Sequence, residues 1–413
     1  MRLKSSVVMS MILSSMLLLT LIGGILTNKN GDIPIHDTSN KPVEEVVEDT
    51  IKSYKGTISD EYNVPSEVMN VIINYMDNYY SSLAKLELQD MSSLFNNPLA
   101  LEISNRAIDL LINTRKLYDF DFSFNNAHYD LKVTDYNTSG NIYKVSLLED
   151  DTFSFNFLEG IESKTFDVEN YFEIEKVNDE YKIKDLDKIQ GYYMGFHDDV
   201  KTLSDASSVY DYYYSQLKEL IEYTTQILKP RSARDPYLYN IPVENKYDRQ
   251  AAVAYSDLYY HERNKEWYNF TDEGGNCQNY ASQSMYAGGI PMDFLGEEQW
   301  KCFIEDPDFD PEINEAEVKE GRSASWVHVG SFYSYAFNNS GYGMICDPDV
   351  NIYYAEPGDL ILVGNGEVAH TVIVSKVVDG HILVNSNSID MKDYPIEAFT
   401  YTTVKLVKIL GSN

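Results

Sequence analysis

One cysteine of this chain stands in a setting that favours nucleophilic chemistry. Glycine pairs at 274–275 and 288–289 enclose Cys277, and residues 276–287 contain neither glycine nor proline. This pattern predicts a short helix that begins beside Cys277. Unpaired N–H groups and the positive end of the helix dipole stabilise a thiolate at that position, so we expect Cys277 to be an activated nucleophile. A buried structural cysteine is the alternative interpretation.

A histidine that could serve as the base begins a strand downstream of the cysteine. The pattern from His370 to Val378 predicts a strand, and the following Asp379-Gly380 predicts a two-residue hairpin. In that register, Asn387 is the diagonal neighbour of His370 on the same face. We therefore expect Asn387 to orient the imidazole, with a structural histidine as the alternative.

The same register excludes three nearby side chains from this site. Ser386 and Ser388 would point to the other face of the hairpin. His381 would lie roughly 20 Å from Asn387 at the rise of a strand, so His381 is not expected to be the base.

Together these elements resemble the putative amidase domain family of exported bacterial proteins. The family is similar to papain-like cell-wall hydrolases of the NlpC and CHAP types, and the similarity covers residues 245–410. The segments that carry the resemblance are the glycine pair with Asn276-Cys277, then Ser325-Trp326, then Pro357-Gly358-Asp359, and then the strand that begins at His370.

The resemblance implies a papain-like domain with three catalytic residues. Cys277 would be the nucleophile, His370 the base and Asn387 the orienting residue. In such a site the thiolate attacks an amide carbonyl, and water then hydrolyses the thioester. The backbone N–H of Cys277 would stabilise the oxyanion.

Four further residues are expected to contact the substrate. Asn276 and Gln278 flank the nucleophile, while Ser325 and Trp326 are expected to line the cleft, with a core position as the alternative for Trp326. The family usually has aspartate and threonine where this chain has Asn276 and Gln278. The neutral Asn276 removes a carboxylate beside the nucleophile, which bears on substrate preference and activity.

An exported bacterial enzyme of this kind would act on an amide of peptidoglycan or of a peptide. Two alternatives belong to other functional classes. One is a cell-surface binding or scaffold protein whose papain-like domain no longer turns over. The other is an acyl transferase that uses the same cysteine and histidine.

Composition restricts the partners of the chain. With 413 residues it is long enough for two or three domains at roughly 150 residues each. Its formal net charge is −32, so a nucleic acid would be repelled. The histidines show no spacing typical of metal ligands, and we expect neither a metal nor a cofactor. Cys302 and Cys346 could form a disulfide outside the cell, although no local pattern supports it.

The N-terminus predicts export. Residues 1–28 contain Arg2 and Lys4 near their start and continue as an uncharged apolar stretch. Roughly 20 such residues span a bilayer as a helix. The stretch lacks a clean small-x-small cleavage motif, which favours an uncleaved membrane anchor over a signal peptide. The positive flank stays inside, so we expect the remainder at the outer cell surface or secreted.

The rest of the chain predicts an α+β protein in four parts. Residues 29–65 are polar and acidic and indicate a linker. Residues 66–200 change from helical to alternating patterns, which predicts an α+β module with a fold like the nuclear transport factors. Residues 201–244 indicate a helical linker, and residues 245–413 form the papain-like domain.

An acidic run imitates a calcium loop. Residues 306–317 place oxygen ligands at positions 1, 3, 5, 7, 9 and 12 of such a loop. However, Pro311 occupies the sixth position, where a glycine makes the sharp turn, and its fixed φ forbids that geometry. A solvated acidic insertion is the expected interpretation.

Overall fold

The computed structural model describes residues 54–188, 192–228, 241–295, 298–302, 321–339, 341–364, 367–388, 390–399 and 403–413. The apolar segment 1–28 and the acidic run 306–317 lie outside these ranges, as do residues 29–53 and 229–240 of the two predicted linkers. In the described ranges, every helix is too short or too polar to traverse a bilayer.

The N-terminal unit combines four helices with five strands. Its elements are β1 (Tyr54–Ser59), α1 (Ser66–Lys85), α2 (Pro98–Arg115), β2 (Phe124–Ser139), β3 (Ile142–Phe155), β4 (Ser163–Val177), β5 (Glu180–Lys188), α3 (Tyr192–Leu203) and α4 (Ala206–Leu228). A short 3₁₀ turn at Ser92–Leu94 lies between α1 and α2.

Local sequence accounts for these elements. The Asn97 side chain accepts a hydrogen bond from the backbone N–H of Leu99, and Pro98 occupies the first turn, so α2 begins there. Strand β3 buries every second side chain from Val145 to Phe155. This alternation turns one face of the antiparallel meander towards α1, whose buried face includes Tyr75.

The C-terminal unit carries its helices on one face of a sheet. Its elements are β6 (Asn245–Lys246), α5 (Arg249–Tyr259), α6 (Cys277–Ala287), α7 (Ala324–Val327), α8 (Val329–Asn338), β7 (Met344–Val350), β8 (Leu360–Gly364), β9 (His370–Val378), β10 (His381–Ser386), β11 (Met391–Pro395) and β12 (Thr403–Ser412). Further 3₁₀ turns occur at Thr271–Glu273, Ile352–Tyr354 and Ile396–Ala398.

One sheet of twelve strands runs through both units in the described part of the chain. The strand order is β1-β2-β3-β4-β11-β10-β9-β8-β12-β6, with β5 on β4 and β7 on β12. The two units join where Met391 pairs with Thr165 and Lys392 pairs with Lys164. Every pairing except that of β1 with β2 is antiparallel. The predicted α+β class is confirmed.

The core also crosses the boundary between the units. Leu383 of β10 belongs to the hydrophobic core of the N-terminal unit, and Tyr394 of β11 packs against it. In the C-terminal unit, a second core lies between α6, α8 and the sheet, and a third covers the opposite face of the sheet.

Two stretches predicted as linkers contain packed structure. Strand β1, inside the predicted acidic linker, runs parallel to β2 with Tyr54 opposite Ala127. Helix α4, inside the predicted helical linker, packs on α2, where Leu217 and Leu110 are both buried. The helix expected within residues 201–244 is present at Ala206–Leu228. Low local apolar periodicity and tyrosine-rich composition did not reveal that these two stretches contact distant elements.

Candidate active site

The hairpin after His370 begins in the predicted register and then departs from it. Val378 lies opposite His381, as predicted, and the pairing holds as far as Lys376 and Leu383. A bulge follows, and beyond it the register has moved by one residue, with Asn385 opposite Ile373. Because side chains alternate between faces, a shift of one residue exchanges the two faces of β10 relative to β9.

The bulge changes the neighbour of the histidine. The Nε2 atom of His370 lies 2.8 Å from Oγ of Ser386, and both side chains are buried. Asn387 instead accepts a hydrogen bond from Nδ2 of Asn276 at 2.9 Å and donates to the carbonyl oxygen of Tyr259 at 2.8 Å. The prediction that Asn387 is the neighbour of His370 was therefore wrong, and Ser386 occupies that position.

Helix α6 places Cys277 at its first residue, as the glycine pattern predicts. Gly274 and Gly275 precede the helix with φ angles of 108° and 120°, which residues other than glycine rarely adopt. Ser388 also has a φ of 108°, and its hydroxyl accepts the hydrogen bond of the Asn276 backbone N–H. A strained residue thus holds the start of the helix that carries the cysteine.

Burial determines the protonation of the cysteine. Cys277 is 8% exposed, and this burial raises the pKa of its thiol above the ordinary value. Backbone N–H groups of Thr371, Gln278 and Cys277 itself lower that pKa, but they do not outweigh the burial. In this geometry the neutral thiol is favoured, contrary to the expectation from the helix dipole alone.

The imidazole is neutral as well. Burial lowers the pKa of His370 to about 4. Ser386 is its hydrogen-bond partner through Nε2, and Nδ1 has none among the described residues. No hydrogen bond joins His370 to Cys277 in this part of the chain. The Thr371 side chain, next along β9, faces the helix of Cys277, so alternation turns His370 to the opposite face of the sheet, where Val372 and Val374 are buried.

Hydrogen bonds of the residues next to Cys277 fix the start of α6. Oε1 of Gln278 accepts a hydrogen bond of 2.7 Å from the Thr371 hydroxyl, which ties α6 to β9. Asn279 donates to Oδ1 of Asn276 at 2.8 Å and accepts from the Trp326 indole at 2.9 Å. Asn276, Gln278 and Asn279 are all buried. These contacts fix the position of the helix start relative to the strand.

The predicted cleft residues have different surroundings from those expected. Trp326 is fully buried, and its ring centroid lies 4.5 Å from that of Trp300 and 5.3 Å from that of Trp267. Ser325 is buried and donates to the carbonyl oxygen of Gln299. The structure therefore gives Trp326 the core position that was the alternative interpretation.

The buried aspartate of the Pro357-Gly358-Asp359 motif is part of the scaffold. Asp359 accepts a hydrogen bond of 2.7 Å from Arg249, while Nζ of Lys408 lies 3.3 Å from it. It thereby joins the start of α5 to β12 beneath β8. Burial raises the pKa of Asp359, and the two cations oppose that effect.

The sequence did not predict the roles of three residues: Thr371 was given none, and Ser386 and Ser388 were assigned to the other face of the hairpin. Thr371, Ser386 and Ser388 are ordinary hydroxyl residues next to more conspicuous side chains. The alternation of β9 could have assigned Thr371 to the face of α6. The bulge that brings Ser386 to the histidine has no local sequence signal.

One group of potential metal ligands lies at the junction of the two units. In the described ranges, Asp167, His261 and Asp390 place ligand atoms within 4.8 Å of one another. Arg263 already binds both oxygens of Asp390, at 2.9 and 3.0 Å. The guanidinium supplies the positive charge that a metal would bring, so the group is an ion-pair network between the units.

Comparison with known proteins finds a family match in the C-terminal unit. Residues 246–410 match the model of the family described as putative amidase domain. This match supports a hydrolase and contains every residue of the site described above. Within that domain lie Cys277, His370, Ser386 and Asn387.

Individual relatives cover parts of the chain. The chain is similar to the uncharacterized protein YhbB of Bacillus subtilis (strain 168), with 31% identity over 157 residues. That similarity covers 36% of this chain, and the chain spans 43% of the length of the relative. A crystal structure described as a putative scytalone dehydratase from Novosphingobium aromaticivorans is similar to 29% of this chain, over 83% of its own length. Its identity is 13% and its TM-score is 0.20.

Proposed function

We propose that this protein is an exported, cysteine-dependent amide hydrolase of peptidoglycan, with a papain-like C-terminal domain. One observation carries the cysteine mechanism. Cys277 is the first residue of α6, and the backbone N–H groups of Thr371, Gln278 and Cys277 lower the pKa of its thiol against the effect of burial. Such a setting binds negative charge on sulfur, or on a neighbouring oxyanion, once the reaction creates it. The amidase domain match provides the reaction class.

The reaction proceeds through a thioester. His370 accepts the thiol proton as the sulfur electron pair bonds to the amide carbon, and the carbonyl oxygen takes the negative charge. Collapse of this intermediate breaks the C–N bond, and the amine departs with the proton from His370. Water then attacks the thioester and gives a proton to His370. Breakage of the C–S bond releases the acid, and the proton returns to sulfur.

Neutral groups suit this sequence of steps. At neutral pH an imidazole whose pKa is about 4 is a free base, although a weak one. In the tautomer that carries its proton on Nε2, His370 donates to Ser386 and keeps a lone pair on Nδ1 for the thiol proton. In the described geometry His370 and Cys277 share no hydrogen bond and lie on opposite faces of β9, so the proposed proton transfer requires the start of β9 to rearrange.

The N-terminal sequence favours an extracellular location and, with it, peptidoglycan as the substrate. The apolar residues 1–28 with Arg2 and Lys4 favour a membrane-anchored or secreted chain. An exported amidase of a bacterium meets peptidoglycan as its most abundant amide. A short peptide is the minimal substrate of the same type. No nucleic acid, metal or cofactor takes part in this proposal.

The test is release of amino termini from purified peptidoglycan. Residues 29–413 are compared with the Cys277→Ala variant, and mass analysis of the fragments identifies the broken bond. We expect turnover to fall by at least about 10³-fold in the variant. Cys346→Ser is the matched control, because a serine keeps the donor that Cys346 directs to the Ala336 carbonyl. Equal release by the wild type and Cys277→Ala would refute the proposal.

A binding protein without turnover is the second candidate. The observation that favours it is the raised pKa of the Cys277 thiol, together with the lack, in the described part of the chain, of a hydrogen bond from Cys277 to His370. A binding protein of this kind would sediment with peptidoglycan as a folded wild-type chain and would release no amino termini. An acyl transferase would instead consume an added amine and release fewer free carboxylates.

A further inference from the structure

A pocket lies between the two units, outside the hydrogen-bonded site. Its volume is about 750 Å³, within the range typical of small-molecule sites. The β3–β4 connection of the N-terminal unit forms one wall. Tyr260, which follows α5, and residues of β9 and β11 form the other. Neither unit could build this pocket alone.

Three lysines line the pocket of a strongly acidic chain. Lys164 and Lys392 are direct partners in the β4–β11 pairing, where like charges face each other at a cost in stability. Lys392 lies 3.4 Å from Asp257. Lys376 lies 2.6 Å from Asp393. Lys164 forms no ion pair or side-chain hydrogen bond among the described residues, so its charge is available to a ligand.

Three carboxylates limit what that ligand can be. Asp393, Glu159 and Glu162 also line the pocket; Asp393 pairs with Lys376, and the two glutamates are exposed. These carboxylates repel a polymer with many negative charges, while Lys164 attracts a ligand that carries a single negative charge. The ring of Tyr260 adds an apolar wall, with Nζ of Lys392 lying 5.1 Å from its centroid. The pocket therefore suits a small molecule with one anionic end.

The pocket opens on the same face of the sheet as Cys277. Helix α5 covers that face, because Asn385 donates to Asp257 at 3.0 Å and Asn387 donates to the Tyr259 carbonyl at 2.8 Å. Asn387 also binds Asn276, the residue before the cysteine. Tyr260, which follows Tyr259, lines the pocket. A ligand could thus reach from the lysines towards the nucleophile along the end of α5.

From this arrangement we infer that the pocket binds the free carboxylate end of a peptide, and that Lys164 is its principal partner. The identification of this peptide as part of the amide substrate rests on the proposed function. The Lys164 ammonium forms a charge-assisted hydrogen bond with the carboxylate, and Tyr260 contacts the preceding side chain. The N-terminal unit thereby contributes directly to substrate selection.

The test measures binding separately from cleavage. The full chain with Cys277→Ala is titrated with N-acetyl-trialanine and with its carboxamide, and each dissociation constant is obtained by calorimetry or NMR. We expect the free acid to bind about tenfold more tightly, as for one charge-assisted hydrogen bond. Lys164→Gln should abolish that preference. Lys132→Gln should retain it, because Lys132 is an exposed lysine of β2 outside the pocket.

Each outcome decides one proposal. Equal affinity of the chain for the acid and the amide would overturn the pocket assignment, even if Lys164→Gln failed to fold. Tighter binding of polyphosphate than of the peptide would overturn it as well. Cleavage of peptidoglycan by the wild type without any carboxylate preference refutes the pocket alone. A carboxylate preference without cleavage refutes the proposed function alone.

Discussion

Acid should unfold this protein partly through His370. Burial lowers the pKa of this imidazole to about 4, whereas an unfolded chain has a histidine pKa of about 6.5. Between these values the unfolded state binds a proton that the folded state does not. The free energy of unfolding therefore falls as the pH drops from about 6.5 to 4. A difference of about 2.5 pH units corresponds to a loss of about 3 kcal/mol, because one unit is about 1.4 kcal/mol.

Urea unfolding between pH 7 and pH 4 measures this contribution. The His370→Gln variant is less stable at pH 7, because it changes a buried side chain. It should, however, lose about 3 kcal/mol less than the wild type on acidification. His328→Gln, which replaces an exposed histidine, is the matched control. If the free energy of unfolding changed in parallel with pH for the wild type and His370→Gln, folding would not lower the pKa of His370. The reasoning from burial would then fail.

Three further predictions test the site and its scaffold. In a chain whose other cysteines are serine, iodoacetamide should alkylate Cys277 about tenfold faster per pH unit from pH 6 to 8, since burial raises its pKa; a rate independent of pH would mean that the thiolate already exists. Ser386→Ala should lower kcat about tenfold, because it removes the hydrogen-bond partner of His370. Asn387→Ala should mainly lower the free energy of unfolding, by about 1–3 kcal/mol, because Asn276 loses its buried partner. The reverse pattern would restore Asn387 as the orienting residue. Arg249→Ala should cost about 3 kcal/mol in urea unfolding, because Asp359 stays buried with one partner fewer; a loss below 1 kcal/mol would contradict this.

Local signals predicted the backbone around the nucleophile. Glycine pairs on both sides of a helical stretch predicted a helix over residues 276–287, and α6 is Cys277–Ala287. The Asp379-Gly380 turn predicted that Val378 and His381 would pair, and they do. Both depend on the conformations that a few adjacent residues can adopt, which is information carried within the segment itself.

Features set by distant packing could not be predicted in this way. The bulge between Leu383 and Val384 depends on how β10 meets both β9 and β11, so its neighbours in sequence do not announce it. The protonation of Cys277 was misjudged for a similar reason. The helix dipole is a local property, whereas the burial that outweighs it comes from the whole fold.

The N-terminal unit also reaches the nucleophile through a chain of contacts. The Phe166 backbone N–H donates to the carbonyl oxygen of Asp390 at 3.1 Å, and Ser388 donates its backbone N–H to Oδ1 of Asp390 at 3.0 Å. The hydroxyl of Ser388 then accepts the N–H of Asn276, which precedes Cys277. Ser388 has an unfavourable φ, and such a conformation persists only where surrounding contacts impose it. Because one of those contacts comes from β4, the start of the cysteine helix depends on both units, and the shared sheet is part of the site.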